Sequence, residues 1–253
     1  NILNAAFMVV AAGTAIGLLE SGLTIPQLFL VIAVMNAAVA VFIFKLVPEF
    51  LMRFIVWMLI HTIYRLDTKA LEHVPEKGGA VLVSNHVSFV DALIITAACR
   101  RPIRFVMYHK IFQIPILNFV FRTNRAIPIA SRREDEDLME KAFDEVAAGL
   151  EAGDLIGLFP EGMITLDGEM NAFRPGIERI IQHSAVPVVP IALRGLWGSF
   201  FSRKGGAAMT KPVRLITRLF SSIELVAGEP VAPSDVKASE LEQTVRALRG
   251  DRK

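Results

Sequence analysis

The strongest constraint on this chain lies at its start, where Glu20 is the only charged side chain in the first 44 residues. Two apolar stretches, residues 2–19 and 25–44, flank this glutamate. Each is close to the ~20 residues that a helix needs to cross the hydrocarbon core of a bilayer. Turn-forming residues separate them, and Pro26 suits the first turn of a second helix. The pattern predicts a transmembrane or membrane-embedded helical hairpin over residues 1–48.

Two other structures could explain the same apolar start. A signal peptide would have a basic start, one short apolar core and a small-residue cleavage site. This chain has two apolar stretches and no basic start, which disfavours a signal peptide. A helical hairpin buried inside a soluble protein is the remaining alternative to a membrane hairpin.

The basic residues predict which side of the membrane the rest of the chain occupies. Four of them follow the second apolar stretch, and the short turn before it carries only Glu20. Because lysine and arginine accumulate on the cytoplasmic side, we expect the C-terminal side to be cytoplasmic. Residues 50–66 mix apolar and basic side chains, which predicts an amphipathic helix in the membrane surface within an interfacial segment, 49–70. The four basic residues are Lys45, Arg53, Arg65 and Lys69.

After Pro75 the pattern changes to short apolar runs separated by helical stretches, which is typical of a sheet covered by helices. We therefore predict an α/β domain with a central mixed sheet and flanking helices over residues 71–253. The clearest helix is 131–153, with a capping-box pattern at Ser131 and Glu134. The candidate strands are 80–84, 104–107, 126–129, 155–159, 188–193, 214–218 and 224–226, ahead of a C-terminal helix from Ser239.

Charge and cysteine content exclude several classes of protein. The formal net charge of +2 over 253 residues is too small, and too evenly spread, for a nucleic-acid-binding protein. The single cysteine, Cys99, excludes a disulfide framework, a zinc finger or an iron–sulfur cluster held by this chain alone. We expect this cysteine to pack in a helix, and the sequence has no HExxH pattern or Cys/His cluster that would indicate a metal.

The most informative motif, Asn85-His86-Val87-Ser88-Phe89-Val90-Asp91, follows the apolar strand 80–84. On a continuous helix His86 and Asp91 would point about 140° apart. They can meet if the histidine lies in a strand-to-helix turn and the aspartate in the first helical turn. The aspartate would then hold one imidazole nitrogen and leave the other to take a proton from a substrate hydroxyl. Asn85 and Ser88 are expected to shape the turn; the alternative is that His86 and Ser88 are only turn residues.

A second candidate element follows strand 155–159. Pro160, Glu161 and Gly162 place a carboxylate and a flexible glycine at the carboxyl end of that strand, the edge where ligands bind in open α/β sheets. An ordinary turn would explain the proline and glycine, but it does not require the glutamate. Arginines in connecting segments could hold a phosphate through two parallel hydrogen bonds. They are Arg125, Arg132, Arg133 and Arg174.

The sequences NHVSFVD, FPEG and VPVVPI, in this order, resemble motifs of the glycerolipid acyltransferase family, over residues 71–196. The resemblance implies transfer of a fatty acyl group from acyl-CoA or acyl-carrier protein to a hydroxyl of a lysophospholipid, without any further cofactor. It implies that His86 is the general base, that Asp91 orients it, and that Glu161 and Gly162 belong to the acceptor-binding motif. The other candidate substrate-binding residues are Asn85, Ser88, Arg125, Arg132, Pro160 and Arg174.

Two positions depart from the family pattern. The glutamate motif usually continues with an arginine two positions after the glycine, where this chain has Ile164. The family's middle motif usually ends in an arginine after a short apolar strand, and the matching run here is 125–132, with an arginine at each end. Both positions are expected to contact the acceptor phosphate. The acceptor could therefore be 1-acyl-glycerol-3-phosphate or, alternatively, 2-acyl-glycerophosphoethanolamine.

The opening sequence NILNAAFMVVAAG resembles a late helix of major-facilitator lysophospholipid transporters, some of which are fused to an acyltransferase domain. This resemblance implies a longer protein with an upstream transporter. It also implies an acyltransferase domain on the cytoplasmic face of the cell (inner) membrane.

Two other function classes stay open. A thioester hydrolase would release free fatty acid without an acceptor, and a lipid-binding domain would bind lipid without turnover.

Overall fold

The computed structural model describes residues 2–46, 48–210 and 220–252. The chain forms two compact units, Asn1–Leu51 and Met52–Lys253. The boundary between them falls inside the helix Pro48–Ile63, which we label α3. Residues 214–218, one of the candidate strands, lie outside the described residues.

The N-terminal unit contains two apolar helices, α1 (Ile2–Glu20) and α2 (Ile25–Leu46). Gly22, with a φ of 100°, forms the turn between them, and Gln27 accepts hydrogen bonds from the Thr24 amide and hydroxyl at the start of α2. Within the described residues, only Ile25–Ile43 is both long and apolar enough to cross a membrane. The two predicted helices are therefore present.

The second unit is built on a seven-stranded sheet with the strand order β1-β7-β6-β2-β5-β3-β4. Neighbouring strands are parallel except for β6 and β7, which pair antiparallel. This arrangement confirms the predicted α/β class and its mixed sheet. The strands are β1 (Tyr64–Lys69), β2 (Ala80–Ser84), β3 (Ile103–Tyr108), β4 (Ile127–Ile129), β5 (Leu155–Leu158), β6 (Val188–Arg194) and β7 (Ser221–Ala227).

Helices cover both faces of the sheet, so the central strand β2 is buried on both sides. Leu82 contributes to one hydrophobic core, together with Ile60 of α3. Val81 contributes to the other core, together with Val146 and Leu241. Because successive side chains of a strand point to opposite faces, an unbroken apolar run suits a strand in this position. The helices after α3 are α4 (Asp91–Ala98), α5 (Pro115–Thr123), α6 (Glu136–Glu151), α7 (Gly176–His183) and α8 (Ala238–Arg249).

Most candidate strands coincide with observed strands to within one residue at either end; β7, however, begins three residues earlier than predicted. The predicted amphipathic helix 50–66 is wrong for its last three residues, because α3 ends at Ile63 and the next six residues form the edge strand β1. Tyr64 is buried whereas Arg65 is exposed. This alternation belongs to a strand, but no glycine or proline separates it from the helix before it.

The predicted capping box of the helix 131–153 is also wrong. The helix α6 begins at Glu136, and the Asp135 carboxylate caps it by accepting a hydrogen bond of 2.9 Å from the Leu138 amide. The Ser131 carbonyl instead accepts from the amides of Glu134 and Asp135, so Ser131 begins a turn that precedes the helix. Asp135 competes successfully because aspartate is as good an N-cap residue as serine.

Candidate active site

His86 lies just beyond the carboxyl end of the central strand β2, in the turn that leads into α4. The residue before it, Asn85, is fully buried, and its side chain extends the sheet pairing towards β6. Its Nδ2 donates to the Leu193 carbonyl at 3.0 Å, and its Oδ1 accepts from the Leu193 amide at 2.8 Å. Asn85 therefore fixes the start of the turn through the main chain of the neighbouring strand.

Asp91 is the first residue of α4, and its fully buried carboxylate lies at the centre of the turn. It accepts hydrogen bonds from the Val87 amide at 2.6 Å, from the Ser88 amide at 2.9 Å and from the Ser88 hydroxyl at 2.5 Å. Its Oδ2 lies 2.8 Å from Nδ1 of His86. The predicted meeting of this histidine and aspartate is therefore present, and Ser88 holds the aspartate.

The imidazole of His86 is held from the side as well as at Nδ1. The Phe159 ring stacks on it, with 4.2 Å between ring centroids, and Phe105 stacks behind Phe159 at 5.7 Å. A Cβ at Gly157 would lie 2.4 Å from the Phe105 ring, so only glycine there allows this aromatic stack. The His86 side chain keeps 21% of its surface exposed. With Nδ1 donating to Asp91, Nε2 is the nitrogen left to receive a proton.

The position of Glu161 differs from the one expected for a residue that binds the acceptor. Its side chain points into the protein, where it is 2% exposed. One carboxylate oxygen accepts from the His86 amide at 2.7 Å, and the other accepts from the amide and side chain of Asn171 at 2.7 and 3.0 Å. Burial raises the pKa of this carboxyl above its usual value of 4.5, and the three N–H donors oppose that shift. The structure therefore gives Glu161 a role in holding the main chain.

Pro160, Gly162 and Arg174 lie together next to Glu161. The Arg174 amide donates to the Pro160 carbonyl at 3.0 Å, and the exposed Arg174 side chain crosses Gly162. Gly162 has a φ of 71°, a conformation that favours glycine, and a Cβ there would lie 2.6 Å from the guanidinium carbon of the flexible Arg174 side chain. Ile164, which stands where the family pattern has an arginine, is 7% exposed and belongs to the interior.

Two more of the candidate arginines, Arg125 and Arg132, form ion pairs with nearby carboxylates. Arg125 precedes β4 and therefore lies at the opposite edge of the sheet, where it pairs with Asp154 at 3.3 Å. Arg132 follows β4 and lies at the same edge as His86, but its guanidinium pairs with Glu136 at 2.9 Å. Arg125 precedes its strand, whereas His86 follows its own strand. In parallel strands these two positions lie at opposite ends of the sheet, so Arg125 cannot share a site with His86.

Two residues of the site, Phe159 and Asn171, were not among the candidate site residues from the sequence. The sequence predicts Phe159 as the last residue of a buried strand, but its ring stacks on the imidazole of His86. Asn171 lies in a loop, yet it supplies two of the three donors to Glu161.

Burial raises the pKa of the Cys99 thiol to about 11, which agrees with a packing role. In the described part of the chain, no three His, Cys, Asp or Glu side chains converge as a metal site requires.

Comparisons with known proteins show the family of this chain. The model of the acyltransferase family matches residues 65–194, so this chain belongs to that family. A chloroplastic 1-acyl-sn-glycerol-3-phosphate acyltransferase of Brassica napus is 30% identical over 139 residues, which cover 54% of this chain and 39% of that protein. A 1-acyl-sn-glycerol-3-phosphate acyltransferase of Borreliella burgdorferi is 26% identical over 48% of each chain. The chain thus spans less than half the length of these relatives.

The fold has a solved counterpart. The crystal structure of the 1-acyl-sn-glycerophosphate acyltransferase from Thermotoga maritima superposes with a TM-score of 0.58, covering 74% of this chain and 71% of that one. The sequence identity is 22%, so the likeness concerns the fold. It agrees with the mixed sheet and flanking helices described above.

Proposed function

We propose that this chain transfers a fatty acyl group from an acyl thioester to the free hydroxyl of a lysophospholipid, with His86 as the general base. One observation carries the proposal: Nδ1 of His86 lies 2.8 Å from the buried Asp91 carboxylate, in a protein of the acyltransferase family. This contact fixes the tautomer and the direction of the ring, so that Nε2 is the nitrogen left for the substrate hydroxyl.

In the proposed reaction Nε2 of His86 takes the proton from the acceptor hydroxyl as its oxygen attacks the thioester carbonyl carbon. The tetrahedral intermediate then collapses, the carbon–sulfur bond breaks, and the imidazolium returns the proton to the departing thiolate. The Asp91 carboxylate stabilises the imidazolium between these two steps. The ester forms without an acyl-enzyme, and either acyl-CoA or acyl-carrier protein serves as the donor.

Arg174 is our candidate for the ligand of the acceptor phosphate. Its exposed side chain lies against Gly162, next to the glutamate that holds the His86 main chain. Because a guanidinium donates two parallel hydrogen bonds, it suits a phosphate in a lipid headgroup. We propose 1-acyl-glycerol-3-phosphate as the acceptor. The buried Ile164 removes one cation that a phosphate monoester would use, which keeps 2-acyl-glycerophosphoethanolamine as a second candidate.

We also propose that the protein works at a membrane, since both substrates carry acyl chains. The apolar stretch Ile25–Ile43 of α2 supplies the span, and α3 begins two residues after α2 ends. α3 buries Val56 and Ile60 but exposes Trp57 and Leu59, each by nearly half of its surface. An apolar face of this kind suits the headgroup boundary. The cytoplasmic orientation at the cell membrane, and an upstream fused transporter, stay predictions of the sequence.

The deciding experiment measures acyl transfer in liposomes by the purified chain. Radiolabelled acyl-CoA or acyl-carrier protein is offered with lysophosphatidic acid or lysophosphatidylethanolamine. We expect His86→Ala to lower turnover by at least ~10²-fold, because a positioned base contributes about 10² to 10⁴-fold. His183→Ala is the matched control, since that histidine is exposed on α7 and its Nδ1 contacts the Arg179 carbonyl.

Three outcomes would contradict this proposal. A folded His86→Ala that retains activity would exclude the base mechanism. Release of free fatty acid at the same rate with and without acceptor would identify a thioester hydrolase. Binding of lysophospholipid without turnover from either donor would identify a lipid-binding domain.

A further inference from the structure

The main chain of His86 is held at both ends by the segment that follows β5. Its amide donates to Glu161 at 2.7 Å, and its carbonyl accepts from the Thr165 amide at 3.0 Å. Neither contact involves the imidazole, which Asp91 and Phe159 orient separately. The position of the catalytic ring therefore depends on where this segment lies.

Asn171 completes the environment of Glu161. The two oxygens of this buried carboxylate accept three hydrogen bonds, one from His86 and two from Asn171, and no lysine or arginine is among these partners. A buried carboxylate without a cation relies on such N–H donors. Without the Asn171 side chain, one oxygen of Glu161 would keep only the Asn171 amide, and the carboxylate could turn away from His86.

The last helix holds the loop around Asn171. On α8, Glu242 accepts from the Phe173 amide at 3.1 Å, Arg246 donates to the Met170 carbonyl at 3.3 Å, and Arg249 donates to the Gly168 carbonyl at 3.0 Å. The spacing of four and three residues puts these side chains on one face of the helix. The main chain on both sides of Asn171 is therefore hydrogen-bonded to α8. The bonded residues are 69, 76 and 81 positions apart in the sequence.

We propose that Asn171 is a positioning residue for His86, which acts through Glu161, and that α8 is the anchor of its loop. The proposal rests on the acyl-transfer function above. It assigns the FPEG glutamate and Asn171 to the support of the base, so neither touches the lysophospholipid. Their loss lowers kcat and leaves the acceptor KM unchanged, because the imidazole moves relative to the bound hydroxyl.

The first test compares Asn171→Ala with wild type in the liposome assay. We expect kcat to fall by roughly 10-fold, since small displacements of a catalytic group cost up to about 10²-fold. We expect the KM for the lysophospholipid to stay within a factor of about two. Asn124→Ala is the matched control, because that asparagine also donates one Nδ2 hydrogen bond, of 2.9 Å to the Val120 carbonyl at the end of α5.

A charge exchange gives the test a readout that general destabilisation would not produce. Glu161→Gln places an amide NH₂ opposite the donors of Asn171, and Asn171→Asp places a second carboxylate opposite Glu161. We expect each single variant to lower kcat. The double variant brings NH₂ and carboxylate together again in exchanged positions, and we expect it to recover at least about threefold over the weaker single variant.

The α8 anchor has its own variant, which spares the buried core. Arg246→Ala removes the contact to the Met170 carbonyl from a half-exposed side chain. We expect a fall in kcat of about threefold, smaller than that of Asn171→Ala, because two of the three contacts to the loop remain. This variant keeps the proposal testable if substitution of Asn171 prevents folding.

The ring of His86 can also be followed without turnover. In protein labelled with ¹⁵N-histidine, His86→Ala assigns its signals among the five histidines. We expect Asn171→Ala to shift the His86 ring signals and to leave those of His183 in place. If wild type transfers no acyl group, the proposed function fails, and this shift still tests the positioning role. Unchanged ring signals, an unchanged kcat, or a raised acceptor KM at constant kcat would each overturn the role assigned to Asn171.

Discussion

Two buried carboxylates bind the same histidine in different ways. Asp91 contacts the imidazole of His86, and its other partners lie in its own turn, three and four residues away. Glu161 contacts the main chain of His86, 75 residues away, and its other partner is Asn171. The comparison separates two tasks: Asp91 holds Nδ1 and sets the direction of the ring, and Glu161 sets the position of the backbone that carries it.

We expect the largest effect from a substitution that disrupts the contact between Asp91 and the His86 imidazole. Asp91→Asn removes the charge that stabilises the imidazolium and presents an NH₂ group to donors that need an acceptor. We expect kcat to fall by about 10³ to 10⁴-fold, as in other histidine–aspartate pairs. Turnover at saturating acceptor measures the effect, and circular dichroism checks the fold. A folded Asp91→Asn with more than a tenth of wild-type kcat would contradict the role of this carboxylate.

The second prediction concerns Glu161 in the same assay. Glu161→Gln keeps one acceptor oxygen, and the imidazole keeps Asp91, so we expect a smaller fall in kcat, of about 10 to 10²-fold. The acceptor KM should stay constant. If Glu161→Gln lowered kcat as much as Asp91→Asn does, the two carboxylates would share one task. The distinction between orienting the ring and holding the backbone would then be wrong.

A residue that touches the substrate should behave differently from both carboxylates. We expect Arg174→Ala to raise the KM for lysophosphatidic acid by about 10-fold with little change in kcat, because a phosphate contact stabilises the bound ground state and the transition state alike. Arg122→Ala, which removes a guanidinium bound to Asn118 on α5, is the matched control. A loss confined to kcat would instead place Arg174 with the positioning residues.

The smallest expected effect is on the pH dependence of stability. Burial raises the pKa of Glu161 above 4.5, so the folded protein keeps its proton to a higher pH than the unfolded chain does. Between 4.5 and that raised pKa, the free energy of unfolding therefore falls as pH rises. Glu161→Gln cannot titrate, and we expect its stability to be flatter over this window. Urea unfolding at a series of pH values measures the difference, and parallel curves for the two proteins would contradict it.

The sequence was a good guide where the contacts are local. The spacing of His86 and Asp91, with the strand before them, suffices to predict their meeting, because the turn and the first helical turn bring them together. Apolar runs predict β2, β5 and β6 for a similar reason, since a strand buried on both faces is apolar throughout. The alternation in β1 is weaker evidence, because this edge strand has one buried face and directly follows α3, with no glycine or proline between them.

What the sequence determined by itself is the α/β class, the meeting of His86 with Asp91 and the apolar N-terminal helices, all of which follow from patterns within a few residues. Only the tertiary structure decided that Glu161 points inward to His86 and Asn171, that Arg125 lies at the far edge of the sheet, and that α8 holds the loop of Asn171. These depend on strand order and on contacts between distant segments. Side-chain direction there is set by neighbours that are close in space and far apart along the chain.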